Sequence, residues 1–303
     1  MKTVLKSLLR WIARRHSVRL GIRDRLVRCF DHPERASNED FKEPFFEYTY
    51  FGNKSCFIDW NVYYYGAYSR TEVRLIRDVL KTIKDPTYLD VGANVGHHVL
   101  AVAALCKTVL AFEPYEKVRS QLIKKVAGNG LKNVQVFPVG LCDEAVSRPF
   151  RPPSGSNTGT GEFLWTDNRS HGLESLQLEI GDEIVESTGI SAIDFIKIDV
   201  EGQEDRVIKG FRRSLARFQP IVLFEVLKSP SGGPKKPTGS LFPTSYRVFA
   251  VRFNHPKWVF LNHDRYALRD ADESFSDGYM LAIPNRFADI RRVLENAIGA
   301  ERF

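Results

Sequence analysis

Asp90-Val91-Gly92-Ala93-Asn94-Val95-Gly96 follows directly on the apolar pair Tyr88-Leu89. A short buried strand, Tyr88–Val91, runs into a glycine-rich turn, and a helix is predicted from His97 to Leu105. Glycine at such a turn permits tight reversal and lets the backbone approach a ligand closely. The spacing is G-x-x-x-G, so the dinucleotide fingerprint G-x-G-x-x-G is incomplete. Taken alone, the turn indicates either a nucleotide-like ligand at a strand end or a plain connection.

Outward from the turn, strand and helix patterns alternate. Thr108–Phe112, Val134–Val139, Ile193–Val200 and Ile221–Val226 read as strands, and Lys117–Ala127, Ile180–Glu186 and Glu204–Leu215 as helices. Upstream, Val73, Ile76, Val79, Leu80 and Ile83 predict a helix over residues 69–83. Downstream, Tyr246–Val251, Trp258–Leu261 and Tyr279–Ile283 are strand candidates, and a last helix spans Asp289–Ala297. The alternation predicts an α/β doubly wound sheet covered on both faces, with a hairpin-like addition at its end. Residues 147–172 and 229–240, rich in Gly, Ser, Pro and Thr, read as loops, the second as a lid candidate.

Two further segments stand in register with the turn. Glu113 lies at the end of the second strand and is followed by Pro114, which stops that strand. An acid there can accept hydrogen bonds from ribose hydroxyls. Ile193-Asp194-Phe195-Ile196-Lys197-Ile198-Asp199-Val200-Glu201-Gly202-Gln203-Glu204 sets a lysine inside an apolar strand and carboxylates at its end. The period of two turns Lys197 and Asp199 to the same side. A buried lysine needs an anionic partner, and the neighbouring acids, with Glu225 on the next strand, supply candidates.

With these segments read, D-V-G-A-N-V-G at 90–96, F-E-P at 112–114, K-I-D-V-E-G-Q-E at 197–204 and V-I-K-G at 207–210 resemble the FkbM family of methyltransferases. The resemblance spans about residues 88–226. It implies a class I methyltransferase (Rossmann-like) fold with a mostly parallel seven-stranded sheet and a C-terminal antiparallel strand. It also implies S-adenosylmethionine as cofactor and O-methylation of a sugar, glycan or secondary-metabolite hydroxyl. Carried over by position, Asp90, Gly92, Ala93, Asn94 and Gly96 are expected at the methionine half of the cofactor. Glu113 and Pro114 are expected at the ribose, and Gly140, Leu141 and Asp143 at the adenine. Asp199, Glu201, Lys197 and Glu225 are the catalytic candidates, with no metal required. The chain departs from the family pattern where Ser69 follows Tyr68 in place of a frequent Glu, and at His97-His98.

Charge is distributed unevenly. Residues 1–30 hold nine Lys and Arg against the one acid Asp24, and the remainder holds 35 basic against 36 acidic residues. The body therefore lacks the basic excess expected of a nucleic-acid binder. The apolar residues Val4, Leu5, Leu8, Leu9 and Ile12 recur at helical spacing among cations, which predicts a basic amphipathic helix with possible contact to an anionic membrane. They do not form the unbroken apolar core of a signal peptide or a transmembrane span. Residues 31–45 read as a linker, giving a segment 1–45 and a methyltransferase domain 46–303. The stretch 46–65, rich in Tyr and Phe with Gly52-Asn53 as a turn, reads as a short hairpin packed on the core, and the aromatics of 48–68 (Tyr48, Tyr50, Trp60, Tyr63, Tyr64, Tyr65 and Tyr68) read as core, with stacking on a sugar ring as the alternative. Cys29, Cys56, Cys106 and Cys142 lack metal or disulfide spacing, which fits a cytoplasmic chain. No feature of the sequence specifies an oligomeric state. Two other functions compete: an NAD(P)-dependent dehydrogenase, and a catalytically silent module bound to a membrane surface.

Overall fold

The computed structural model describes residues 2–15, 20–153, 155, 159–165, 172–226, 238–254, 265–270 and 278–294. Two helices, α1 (Lys2–Ala13) and α2 (Leu20–Phe30), open the chain. The hairpin β1 (Asp40–Phe45) and β2 (Tyr48–Asn53) follows, then α3 (Phe57–Tyr65) and α4 (Arg70–Leu80). The hairpin thus starts inside the stretch read as a linker, and the tyrosine run at 63–65 is helical. Its register pairs Asp40 with Asn53 and Phe45 with Tyr48. Pro44 therefore lies in a strand of a two-stranded sheet, where only one side needs a ladder of donors.

The alternating unit comes next: β3 (Thr87–Val91), α5 (His97–Val102), β4 (Thr108–Phe112), α6 (Glu116–Gly128) and β5 (Val134–Phe137). A smaller sheet then interrupts the alternation, built from β6 (Gly140–Cys142), β7 (Val146–Arg151), β8 (Glu162–Phe163) and β9 (Ser175–Ile180). Part of the stretch read as a loop is therefore a set of short strands. The chain returns through α7 (Gly181–Thr188), β10 (Phe195–Ile198), α8 (Glu204–Gly210), α9 (Arg212–Phe218) and β11 (Ile221–Val226). The single helix expected over Glu204–Leu215 is two, divided at Phe211. The last strands are β12 (Tyr246–Asn254), β13 (Arg265–Asp270) and β14 (Gly278–Pro284). The strand candidate Trp258–Leu261, most of the 229–240 loop and the end of the last helix lie outside the described residues.

The central sheet has eight strands in the order β13-β12-β14-β11-β10-β3-β4-β5, not the expected seven. The run from β11 to β5 is parallel, whereas β11–β14, β14–β12 and β12–β13 are all antiparallel. The pairing is mixed because β14 joins β11 antiparallel and β12 and β13 extend the sheet in the same manner. Tyr88, Phe195, Leu223 and Leu281 turn to one face, in a core shared with α4 and α5. Leu89, Ile196, Val222 and Phe224 turn to the other, against Val185, Val207, Phe211 and Leu215 of α7–α9.

From β3 the chain proceeds outward to β4 and β5, then returns to place β10 on the opposite side of β3. The order reverses there, and the crevice beyond the carboxyl ends of β3 and β10 is where open α/β sheets bind ligands.

Candidate active site

Tight packing of the chain on itself shapes the glycine turn. Gly92 has φ +83°, and a Cβ on it would stand 1.9 Å from the Asp199 carbonyl oxygen. Only glycine lets β3 and β10 end this close together. Its N–H and that of Ala93 donate to the Phe112 carbonyl at 3.1 and 3.0 Å. Asn94, at φ 49°, uses its side-chain oxygen to accept from the Val95 N–H at 2.8 Å. Gly96 serves another purpose: its Cβ would meet Leu122 Cδ1 at 2.4 Å, so its bareness seats α5 on α6.

An open cavity lies over this turn. Gly92, Asn94, Glu113, Pro114, Gly140, Leu141, Asp199 and Glu201 all border it, which brings together eight of the residues singled out in the sequence. Asp90, Ala93, Gly96, Asp143, Lys197 and Glu225 are not among its lining. Asp143 instead pairs with Arg206 at 2.6 Å. Ala93 is buried in the core. Tyr115, Phe150, Phe163 and Trp165 complete the wall. All four escaped the sequence reading; three belong to the stretch taken as a loop, where single aromatics among polar residues were the sole sign. Arg206 stacks on Trp165, 3.7 Å from its ring centre, and so ties α8 to this wall.

Glu113 is positioned by backbone. Its Oε2 accepts from the Asn94 N–H and its Oε1 from the Tyr115 N–H, each at 3.0 Å. Burial pushes its carboxyl up to about 7, against the pull of those two hydrogen bonds. Each carboxylate oxygen keeps a second lone pair for a donor in the cavity.

Behind the cavity runs a row of charge across adjacent strands. Lys197, buried on β10, pairs with Asp90 in register on β3. Its Nζ stands 3.8 Å from Asp90 Oδ1 and donates to Asp199 Oδ2 at 3.1 Å. Burial works against the lysine charge, but Asp199 and then Asp90 outweigh it and raise the pKa. Burial likewise opposes charge on Asp199, and Lys197 outweighs it, so that carboxyl stays ionised. Asp90, fully buried, is shifted up by burial despite Lys197, and neither of its oxygens has a hydrogen-bond partner among the described residues. Asp90 is thus a partner of Lys197 in the interior and not a wall of the cavity.

Glu225 hydrogen-bonds to Asp199 and is not the partner of Lys197. Burial, then the Asp199 charge, raises its pKa. Glu201, at φ 53° in the turn after β10, is raised to about 7 by partial burial and then by Asp199. Glu72 of α4 closes the row from above, its Oε1 3.3 Å from His98 Nε2. His97 Nε2 lies 2.9 Å from the Tyr68 carbonyl oxygen, and burial keeps the ring below its usual pKa and neutral. His98 therefore joins α5 to α4, and His97 joins it to the segment just before α4.

A second cavity, about 880 Å³, adjoins the far side of this row. Tyr65, Tyr68, Phe253 and Tyr279 supply its aromatic surface, and Arg23, Asn61, Arg70 and Glu72 its polar groups. Tyr279 sits opposite Glu225 in the β11–β14 register. Most of the aromatic stretch expected to pack as core does so: Tyr50, Trp60, Tyr63, Tyr64 and Tyr65 are buried. Tyr68 is half-buried and faces the second cavity.

Among the described residues, no three or more His, Cys, Asp or Glu side chains are arranged as a metal-ligand set. The first cavity fits an adenosyl cofactor: an aromatic slot, a carboxylate at the end of the second parallel strand, and a bare glycine backbone at the switch point.

A doubly wound sheet with this cavity is the frame of a class I, S-adenosylmethionine-dependent methyltransferase. Residues 90–296 match the methyltransferase FkbM domain, and the chain belongs to that family, with S-adenosylmethionine as its cofactor. Family membership sets aside the dehydrogenase. The hexuronic acid methyltransferase AglP of Haloferax volcanii is 30% identical over 158 residues, covering 51% of this chain and 62% of that protein. The AMB antimetabolite synthetase AmbE of Pseudomonas aeruginosa is 28% identical over 184 residues, 48% of this chain and 9% of that protein. The chain thus spans less than two thirds of either relative. Among solved structures, the FkbM methyltransferase of Methylobacillus flagellatus has 15% identity and a TM-score of 0.40, covering 65% of this chain and 43% of that one. A methyltransferase from Agrobacterium tumefaciens has 10% identity and a TM-score of 0.46, covering 84% and 72%.

Proposed function

We propose that this methyltransferase acts on oxygen, transferring a methyl group to a hydroxyl of a sugar, glycan or secondary metabolite. The observation that carries this reading is the place of Asp199, which borders the first cavity and is hydrogen-bonded to Glu225, the residue opposite Tyr279 of the second cavity in the β11–β14 register. The acceptor enters by the second cavity, where Tyr65, Tyr68, Phe253 and Tyr279 give a sugar ring flat faces to lie on. A hexuronic acid, named for the archaeal relative, is one acceptor of this kind.

S-adenosylmethionine supplies an electrophilic methyl group on a positively charged sulfur. Glu113 holds the ribose, the Gly92–Asn94 backbone the methionine half, and the Gly140–Leu141 strand, with its aromatic neighbours, the adenine. Asp199 would hydrogen-bond to the acceptor hydroxyl and take its proton as the new C–O bond forms and the methyl–sulfur bond breaks, the neutral thioether S-adenosylhomocysteine being the leaving group. A carboxylate with a depressed pKa is basic enough, because the oxygen becomes strongly acidic as it is alkylated. Lys197 keeps Asp199 ionised and fixed, and Glu225 donates a hydrogen bond that sets its rotamer. Glu201, at the rim, is the second candidate base.

Incubation with methyl-labelled S-adenosylmethionine and a panel of sugars, oligosaccharides and glycolipids tests the reading. Label is expected in a methyl ether, which survives mild alkali. Label confined to an alkali-labile ester or to nitrogen would contradict it.

A further inference from the structure

The helices α1 and α2 are held to the body by one side only. Leu9, Ala13 and Val27 are buried in the core with Trp60, Tyr63 and Tyr64. Arg10 and Arg14 both pair with Glu43 and both donate to the Tyr63 carbonyl oxygen, at 3.3 and 3.1 Å. Arg23 donates to the Ala13 carbonyl oxygen. These contacts hold two short helices in place, which would otherwise be marginal alone.

Their other side is apolar and open. Leu8 is 51% exposed, Trp11 56%, Ile22 48% and Phe30 59%. These are four of the seven exposed large hydrophobics among the described residues, gathered in a tenth of the chain. Arg15 and Arg25 are exposed between them, and Arg15 stacks over Trp11 at 4.3 Å. Leu8, Trp11 and Arg15 follow at helical spacing on α1 and just beyond it; Ile22, Arg25 and Cys29 do so on α2.

We propose that this outer side of α1 and α2 docks on an anionic lipid bilayer. Alternation of apolar and cationic side chains on one helix face suits an interface in which acyl chains take the former and headgroup phosphates the latter. A tryptophan under an arginine belongs at headgroup depth. Nucleic acid would reward the arginines but leave Leu8, Ile22 and Phe30 against water. A second copy of the chain would bring a segment of net +8 against its like, or against a body that is nearly neutral. No described helix is long and apolar enough to cross a membrane. The inference stands apart from the choice of acceptor.

Co-sedimentation of the full chain with vesicles of phosphatidylglycerol and phosphatidylcholine, against phosphatidylcholine alone, tests it. Partition onto the anionic vesicles is expected to be at least about tenfold stronger and to weaken when salt rises from about 0.1 to 0.5 M. The double change Trp11→Glu/Ile22→Glu is expected to abolish it, and Trp11→Ala to weaken it several-fold. Affinity for S-adenosylmethionine, measured in parallel, is expected to stay unchanged in both and reports that they fold. Equal binding to both vesicle types, or retention by the double variant, overturns the proposal. So does a wild-type dimer in light scattering that the same substitutions dissociate, since a second copy would then occupy the face.

Discussion

Replacing Lys197 with methionine is expected to lower the unfolding free energy by about 3–5 kcal/mol, the cost of leaving a buried charge unpaired. Lys197 is 2% exposed in its side chain and Asp90 0%, and among the described residues Lys197, at 3.8 Å, is the cation paired with Asp90. Methionine fills most of the lysine volume, so the loss isolates charge from packing. The loss also depends on pH. The Asp90 pKa is already raised in the folded state, by burial first. A carboxyl raised on folding lowers stability as pH rises from its unfolded value through its folded one. Without Lys197 the Asp90 shift grows, so the deficit of the variant should be largest at neutral pH and shrink toward pH 4. Pairing the change with Asp90→Asn should restore much of the loss. Urea unfolding at pH 4.5 and 7.5 measures both effects. A deficit under about 1 kcal/mol that does not vary with pH would contradict the account.

Asp199→Asn is expected to lower kcat by about 10²–10⁴-fold, the usual worth of a positioned general base, while S-adenosylmethionine affinity changes much less. Asparagine keeps the shape and can still meet Lys197's neighbours, but it cannot take a proton. The pH profile separates the two candidate bases. Asp199 is held ionised, so with both substrates saturating kcat should be flat from about pH 6 to 8. Glu201 titrates at about 7, so if it were the base kcat would rise through that value. Glu201→Gln is therefore expected to cost about tenfold or less, consistent with a rim position. Glu225→Gln, which retains a donor toward Asp199, should be milder than Glu225→Ala. A rising profile lost in Glu201→Gln would transfer the role of base to Glu201.

Local patterns made much of this legible. The strand-glycine-helix turn, the acid ending β4 and the lysine inside β10 each follow from period and spacing within a dozen residues. What the sequence hid depends on partners far along the chain. Glycine spacing does not distinguish Gly92, pressed against the Asp199 carbonyl, from Gly96, pressed against Leu122. An acid at the end of β3 reads as a ligand-binding group, yet the pleat turns Asp90 inward to Lys197, 107 residues away. Glu72 lies beside Val73 in an ordinary amphipathic helix, and its burial next to His98 of α5 is not visible in that pattern. Of the aromatic wall of the cofactor cavity, Phe150 and Phe163 lie on strands of six and two residues, and Tyr115 and Trp165 lie on none, so alternation does not mark it.

The most direct test of the central claim, that the turn after β3 and Glu113 form the S-adenosylmethionine site, is calorimetric titration of the cofactor at several pH values. Burial holds the unliganded Glu113 carboxyl near 7, and ribose hydroxyls donate best to its ionised form. Affinity is therefore predicted to rise between pH 6 and 8, by up to about tenfold per pH unit below the pKa, and then level off. Glu113→Gln is predicted to bind more weakly by about 1.5–3 kcal/mol, with that pH dependence gone. No binding by the intact chain, or a wild-type affinity independent of pH and matched by Glu113→Gln, would contradict it.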